Sequence, residues 1–517
     1  MAITPEGSRL SLARLALVLV VTGGVFAGAI WWALHIVAES RAGADSTWFA
    51  PYVDVTLTPT LHFEDASVQP SNDVVLGFIV ADPANACVPS WGTYYNLEAA
   101  ARALDLDRRI VRLRERGGDA IVSFGGAIND ELAVVCTDVD DLTKAYQSVI
   151  DRYDVTVLDF DIEGAAIADQ EANTRRAQAI ARLQAANEGL QVWFTLPVAP
   201  FGMTEDSVTL LDDTLAGGAV LHGVNVMTMN YGGSREAMTM REATAAALMA
   251  TFQQLDGVYQ RAGTPLDEGA LWKMVGATPM IGQNDVAADV FTIADAEALM
   301  DFSGEVELGR LSFWSANRDV ACGAVVDDKR VSNTCSGVSQ DPLEFSAVFA
   351  EGARERRPGD RTESTTPGGE TREDGQMRDD PRTSPYPIWR TGRAYEADAK
   401  VVWQGRVYQA KWWTQGNQPD APVKNTWETP WRYLGPVLES DREAVRNSTP
   451  APDGERPRWA GETVYVAGDE VEHDGSAFRA KWWTQGDLPQ ADPDQPYDHP
   501  WEYLGEIEDD EDADGPG

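Results

Sequence analysis

Between residues 46 and 351 the sequence returns eight times to a short apolar run bounded by turn residues, and this alternation restricts the fold more than any other feature. The runs are WFAPYVDV (48–55), DVVLGFIVA (73–81), DAIVSFGG (119–126), VTVLDFDIE (155–163), LQVWFTLPV (190–198), LHGVNVMTMN (221–230), WKMVGATPM (272–280) and GRLSFWSAN (309–317). Stretches of helical character, such as LEAAARALDLDRRIVRLRERG (97–117) and EANTRRAQAIARLQAANEG (171–189), lie between several of them. Eight strands alternating with helices over about 300 residues predict an α/β domain of the (β/α)8, or TIM-barrel, class. An open doubly wound sheet is the alternative, but no G-x-G-x-x-G follows the first strands.

The fourth run carries carboxylates at alternate positions. Side chains on a strand point to opposite faces with a period of two, so Leu158, Phe160 and Ile162 share one face. Asp159, Asp161 and Glu163 share the other. A solvated outer face would explain such a pattern in an ordinary amphipathic strand. Barrel strands, however, are covered on both sides, by the outer helices and by the packed interior. Carboxylates on the interior face are costly unless they form a site. Near the C-terminal mouth, close like charges disfavour simultaneous ionisation and hold one carboxyl protonated, as a general acid requires.

At 517 residues the chain is expected to hold two to four domains. Its formal charge of −40 argues against nucleic acid as a partner, since no Lys/Arg face is evident. Residues 15–38, LALVLVVTGGVFAGAIWWALHIVA, contain no charged residue and would span roughly 36 Å as a helix, enough for a hydrocarbon core of about 30 Å. Arg9 and Arg14 precede this run and favour a cytoplasmic N-terminus. The segment 1–44 is expected to be a signal anchor or a cleaved signal peptide. The run is longer than a signal core, yet AGA at 42–44 is a cleavage pattern, and a membrane anchor is favoured. Either places the rest of the chain outside the cell. Cys87, Cys136, Cys322 and Cys335 suit two disulfides in an exported protein. Three connectivities are possible, of which the local pairs Cys87–Cys136 and Cys322–Cys335 are favoured. No C-x-x-C occurs, and no metal site is expected.

After the barrel segment (46–351), residues 352–385 have almost no apolar content and are expected to be a disordered linker. A repeat follows. AKWWTQG occurs at 410–416 and at 480–486, and Trp389/Trp459, Tyr395/Tyr465 and Trp431/Trp501 keep the same offset of 70 residues. Two small β-rich modules at 386–436 and 458–506 are expected, joined by 437–457 and followed by an acidic tail at 507–517.

The sequence LDFDIE resembles the D-x-D-x-E core on the fourth strand of glycoside hydrolase family 18 chitinases. The resemblance spans the barrel: SFGG (123–126) is similar to the third-strand motif, VMTMNYG (226–232) to the sixth, and FWSANRD (313–319) to the eighth. It implies that Glu163 is the proton donor, that Asp161 orients and stabilises the substrate's acetamido group, and that Asp159 shares a proton with Asp161. Trp314 would floor the sugar site, and Ser123 would line it. The implied mechanism is substrate-assisted retention, in which the acetamido oxygen attacks the anomeric carbon. It requires a 2-acetamido sugar and no cofactor. The chain departs from the family pattern at Thr156 and at Asn230, each of which stands where an Asp is common. Which of Met227, Asn230 and Tyr231 contacts sugar stays open. PMIGQND (279–285) resembles a seventh-strand loop of related bacterial enzymes, in which Gln283 and Asp285 either line the cleft or serve the loop's own structure.

The C-terminal repeats resemble family 5/12 carbohydrate-binding modules. Polymeric sugars present apolar C–H faces on which exposed aromatic rings can lie. Trp412 with Trp413, and Trp482 with Trp483, are adjacent pairs. Strand alternation would make one of each pair core and the other platform. Two linked modules raise residence on an insoluble polymer through effective concentration. The reading is a monomeric, endo-acting chitinase that binds chitin or N-acetylglucosamine oligosaccharides. The alternatives are a non-catalytic chitin-binding adhesin at the cell surface, or an endo-β-N-acetylglucosaminidase acting on glycans.

Overall fold

A computed structural model describes residues 47–323, 331–353, 379, 384–438 except 424 and 426, and 441. Toward the C-terminus it describes 456–461, 463, 465, 469–481, 484, 487–490 and 500–507. The apolar run at 15–38, most of 352–385, most of 437–457, nearly all of the acidic tail, Trp482 and Trp483 lie outside the described residues. Among the described residues no helix is long and apolar enough to cross a membrane.

In chain order the first unit contains β1 (Trp48–Phe49), β2 (Tyr52–Asp54), β3 (Val74–Asp82), β4 (Asn85–Trp91), β5 (Tyr95–Asn96), β6 (Ala120–Gly125) and β7 (Val157–Asp161). It continues with β8 (Gln191–Pro197), β9 (Gly223–Met227), β10 (Val275–Ala277), β11 (Gly282–Gln283), β12 (Val290–Phe291) and β13 (Arg310–Leu311). Each of the eight apolar runs supplies barrel strand. Pairing runs in parallel from β3 through β6, β7, β8, β9 and β10 to β13. It closes because the first run serves both ends, β1 pairing with β13 and β2 with β3. The result is a closed (β/α)8 barrel.

The outer helices begin where the sequence supplies caps. Asp138, Asp169 and Thr204 accept from backbone N–H groups at the starts of Val139–Tyr153, Gln170–Ala186 and Glu205–Ala216. Thr239 with Glu242, and Thr292 with Asp295, form reciprocal capping boxes. The stretch at 97–117 is not one helix. It breaks into Leu97–Ala103 and Leu106–Glu115 at Asp105, whose φ of 50° is a left-handed conformation that Asp tolerates better than most residues.

Alternation on β7 sorts its side chains as its period demands. Phe160 faces outward, stacked between Phe124 and Phe194 at 5.2 and 5.6 Å, with Tyr146 of Val139–Tyr153 edge-on at 5.3 Å. The interior is packed by Trp48, Ala50, Tyr52, Val75, Ile121, Val157 and Trp193, against which Phe78 and Trp314 rest. β4 and β5 form an antiparallel excursion after the second barrel strand, which the sequence reading had not marked as strand. The disulfide Cys87–Cys136 ties that excursion to the segment after β6, and Cys322–Cys335 closes a loop beyond β13.

The C-terminal unit repeats one small sheet. β14 (Ala394–Tyr395), β15 (Lys400–Trp403), β16 (Arg406–Ala410), β17 (Thr414–Gln415) and β18 (Trp431–Pro436) form the first copy. In the second copy β19 (Glu470–His473), β20 (Ser476–Ala480) and β21 (Trp501–Glu506) match β15, β16 and β18 at the 70-residue offset. The repeated aromatics have repeated jobs. Trp389, Tyr395 and Trp431 form the first core, and Tyr465 and Trp501, with Trp459 packed on them, form the second. Trp431 Nε1 donates to Asn417 O at 2.8 Å, and Trp501 Nε1 to Asp487 O at 2.7 Å.

Candidate active site

The carboxylates of β7 climb the barrel axis and meet three different environments. Asp159, the deepest, is fully buried. Its Oδ1 accepts from Arg310 Nη1 at 2.6 Å and Thr195 Oγ1 at 2.7 Å, and its Oδ2 from Ser123 Oγ at 2.7 Å and Tyr52 Oη at 2.8 Å. Those donors stand on β13, β8, β6 and β2. Arg310 is also fully buried and lies 5.2 Å from the Trp48 ring and 5.7 Å from that of Trp193. Its remaining donors reach Ser312 Oγ at 3.0 Å and Tyr52 Oη at 3.1 Å. A buried charge is tolerated when paired and hydrogen-bonded, and this one is both.

That geometry revises two expectations. Asp159 spends its oxygens on a guanidinium and three hydroxyls, so it is a charge-balanced anchor rather than a partner sharing a proton with Asp161. Ser123 is buried and donates to Asp159, so it supports the carboxylate from below and does not line the sugar cleft.

Asp161, one alternation higher, is almost fully buried, and its Oδ1 has no hydrogen-bond partner among the described residues. Burial pushes its carboxyl well above the usual range. The charges of Glu163 and Asp159 push the same way, and Arg310 pulls back. Glu163 follows the end of β7 at the rim and is half-buried. Burial, and then the Asp285 carboxylate, raise it to about 7. A carboxyl that keeps its proton to neutrality can act as a general acid.

The SFGG run earns its glycines by close approach. A Cβ on Gly125, whose φ is +100°, would sit 2.2 Å from Asp161 O, and one on Gly126 would sit 2.9 Å from the Phe78 ring. The chain can therefore pass tightly under the acidic strand while Phe78 reaches the mouth. There Trp314 stacks on Phe78 at 5.6 Å and leans on Tyr52 at 6.2 Å. It remains half-buried, which leaves part of its ring available to a ligand.

The loops after β9 and β10 lock together. Asn230, at φ 53°, donates from its backbone N to Asn284 Oδ1 at 3.0 Å and from Nδ2 to Asp285 Oδ2 at 3.1 Å. Its Oδ1 accepts from Val286 N at 3.1 Å. Met227 is half-buried at the end of β9. Tyr231 is buried, and its hydroxyl has no hydrogen-bond partner among the described residues. Gln283 is another correction. Its amide N–H group serves the carbonyls of Asn284, Ala287 and Asp289, holding its own loop rather than a sugar.

Sequence reasoning missed Tyr52, Thr195 and Arg310. Arg310 left a signal: it is a cation inside an apolar strand, in phase with Ser312 and Trp314. In the first C-terminal module the expected division of Trp412 and Trp413 fails. Both follow β16 outside any strand and are 46% and 54% exposed, and Trp427, which was not singled out, is 71% exposed. Three rings are thus on the surface of that module.

A closed parallel barrel with a neutralised anchor, a buried acid and a rim carboxyl held protonated near pH 7 is the arrangement of a glycosidase. Comparison with known proteins narrows this. Residues 388–432 and 458–502 match carbohydrate-binding module family 5/12. Over 317 residues the chain is 36% identical to the probable bifunctional chitinase/lysozyme of Escherichia coli (strain K12), covering 58% of this chain and 34% of that protein. It is 35% identical over 284 residues to endochitinase 11 of Metarhizium anisopliae, covering 53% of this chain and 52% of that one. The chain thus spans about a third and about half of these two relatives' lengths. The crystal structure of the catalytic domain of a hyperthermophilic chitinase from Pyrococcus furiosus superposes with a TM-score of 0.52 at 31% identity, over 59% of this chain and 94% of that one. The chain belongs to the family 18 chitinases, with family 5/12 carbohydrate-binding modules at its C-terminal end.

Proposed function

We propose that the protein hydrolyses β-1,4-linked N-acetylglucosamine polymers by substrate-assisted retention, and that its C-terminal modules hold it on insoluble chitin. The observation that carries this reading is the pair formed by Asp161 and Glu163, a buried acid whose Oδ1 has no hydrogen-bond partner among the described residues, beneath a rim carboxyl raised to about 7. Glu163 gives its proton to the glycosidic oxygen as that oxygen leaves the anomeric carbon. The substrate's acetamido oxygen bonds to the same carbon from the opposite face, so the protein needs no nucleophile of its own. Asp161 takes the acetamido N–H and stabilises the positive charge that develops there. Water then attacks the anomeric carbon, the bond from that carbon to the acetamido oxygen breaks to restore the acetamido group, and the proton lost by the water goes to the Glu163 carboxylate. Trp314 supplies the apolar floor beneath the reacting sugar.

Export fits the two disulfides and the apolar run at 15–38, which we read as a membrane anchor in preference to a cleaved signal. The test is release of soluble N-acetylglucosamine oligomers from colloidal chitin by the full chain beside its Glu163→Gln variant. Release by the parent and a loss of at least about a hundredfold in the variant, with chitin binding retained, is expected. Tight binding without release by either protein would leave an adhesin instead.

A further inference from the structure

The mouth of the barrel carries an aromatic ring that the reaction described above leaves unused. Tyr94 stands in the turn that joins β4 to β5 and is 75% exposed. A lone exposed ring is ordinary on a protein surface, but the turn that presents this one is not. Gly92 and Thr93 both have left-handed backbone, at φ 56° and 70°, and Tyr94 N closes the turn by donating to Trp91 O at 3.0 Å. For a β-branched residue such as Thr93 that conformation is costly, and it persists only where the surroundings over-determine it. Here they act from three directions. Trp91 is fully buried, and its Nε1 donates to Tyr153 Oη at 2.8 Å. Gly92 N donates to Phe78 O at 3.0 Å. A Cβ on Gly92 would lie 3.3 Å from Thr56 Cγ2 and 3.4 Å from Tyr94 Cδ2, so the Tyr94 ring and the end of the first barrel strand border one small space.

The same segments support the floor of the sugar site. Phe78, whose carbonyl holds the turn, stacks on Trp314. Thr56 N and Oγ1 donate to Asp54 Oδ1 at 2.9 and 2.7 Å. Asp54 exchanges two hydrogen bonds with Asn317, which closely follows Trp314: Asp54 N donates to Asn317 Oδ1 at 2.9 Å, and Asn317 Nδ2 to Asp54 O at 3.1 Å. Half-buried Tyr95 flanks Tyr94, their ring centroids 6.4 Å apart. Tyr94 is thus fixed to the rim built by the first, second and eighth barrel strands, the rim that carries Trp314. We propose that Tyr94 is a specificity-determining residue: its ring face carries a further sugar unit of the bound chain, beyond the unit over Trp314, and gives long N-acetylglucosamine oligomers an advantage over short ones. The proposal rests on the chitinase reading, which supplies the chain. Such a chain presents apolar C–H faces at every unit, and a ring already held in place meets one at little ordering cost. Binding energy gathered there, remote from the scissile bond, reaches the reaction only for substrates long enough to touch both rings.

The test is kcat/KM of the full chain, Tyr94→Ala and Tyr94→Phe on soluble N-acetylglucosamine oligomers of increasing length. In Tyr94→Ala the value for the hexamer should fall about fivefold, while that for the shortest oligomer the parent cleaves should stay within about twofold. Tyr94→Phe should keep the parent's dependence on length, because the ring face and not the hydroxyl is the platform. Equal loss at every length, no loss at any, or a Tyr94→Phe as impaired as Tyr94→Ala would overturn the proposal. If the parent cleaves nothing, the chitinase reading fails and the role of Tyr94 is still decided by binding. In the full-length Glu163→Gln variant labelled with fluorotyrosine, the resonance of position 94, assigned by its disappearance on adding Tyr94→Phe, must shift at saturating hexamer. An unmoved resonance there would also overturn the proposal.

Discussion

Replacing Glu163 by Gln should stabilise the protein at alkaline pH while removing its chemistry. The carboxyl is raised from 4.5 to about 7 in the folded chain. Between those values the unfolded chain has released its proton and the folded chain retains it. Folding stability therefore falls as pH rises through this window, and the loss is complete above about 7. One pH unit corresponds to 1.36 kcal/mol, so the shift sets a ceiling of about 3 kcal/mol. Asp161 titrates alongside Glu163 and shares part of the effect, and about 2 kcal/mol is the figure to expect. Below about pH 4 a protonated Glu and a Gln are near equivalents, and the two proteins should be equally stable. The assay is urea unfolding of parent and variant at about pH 4 and about pH 8, followed by tryptophan fluorescence, with the barrel's transition separated from that of the modules. A stability difference that is the same at both pH values would refute the reasoning, because it would come from packing and not from the proton.

Arg310→Met should cost about 3–5 kcal/mol, since it leaves the fully buried Asp159 without its cation, and adding Asp159→Asn should recover most of that loss. A single variant within about 1 kcal/mol of the parent in urea unfolding would show that the pair does not neutralise Asp159. In the first C-terminal module, Trp412→Ala, Trp413→Ala and Trp427→Ala should each weaken retention on chitin by about 1 kcal/mol, roughly fivefold, without changing the melting of the module, whereas Trp431→Ala should melt it. Unchanged retention in all three surface variants would place the binding face elsewhere.

The readable and unreadable parts of the molecule divide along physical lines. Alternation on β7 was legible because strand period is local: Asp159 and Phe160 had to face opposite ways, and the covered barrel made the polar face a site. The 70-residue offset was legible because Trp389, Tyr395 and Trp431 recur as a set. The partner of Asp159 was not legible, because Arg310 lies 151 residues away and only closure of the barrel brings them together. Asp285 was legible as a residue but not as a partner of Asn230, since that depends on how the loops after β9 and β10 come together. For Trp412 and Trp413 the strand period was applied to residues that lie beyond the end of β16. Trp427 stands among turn-forming residues, where no periodicity marks it. The hairpin of β4 and β5 escaped notice because Pro89 and the turns around it interrupt any apolar run.

Asp159 is the barrel's crosspiece, receiving donors from four strands, one of them Arg310 on the last, whereas Glu163 stands free at the rim. The two carboxylates would therefore be lost in very different ways. A descendant that needed only to hold sugar could discard Glu163 in one step and keep its architecture, even gaining tolerance to alkali. Discarding Asp159 would strand a guanidinium in the interior and threaten the barrel itself. The deep carboxylate should thus outlive the reaction it once served, so that its presence in a related sequence testifies to ancestry, and only the rim position testifies to activity.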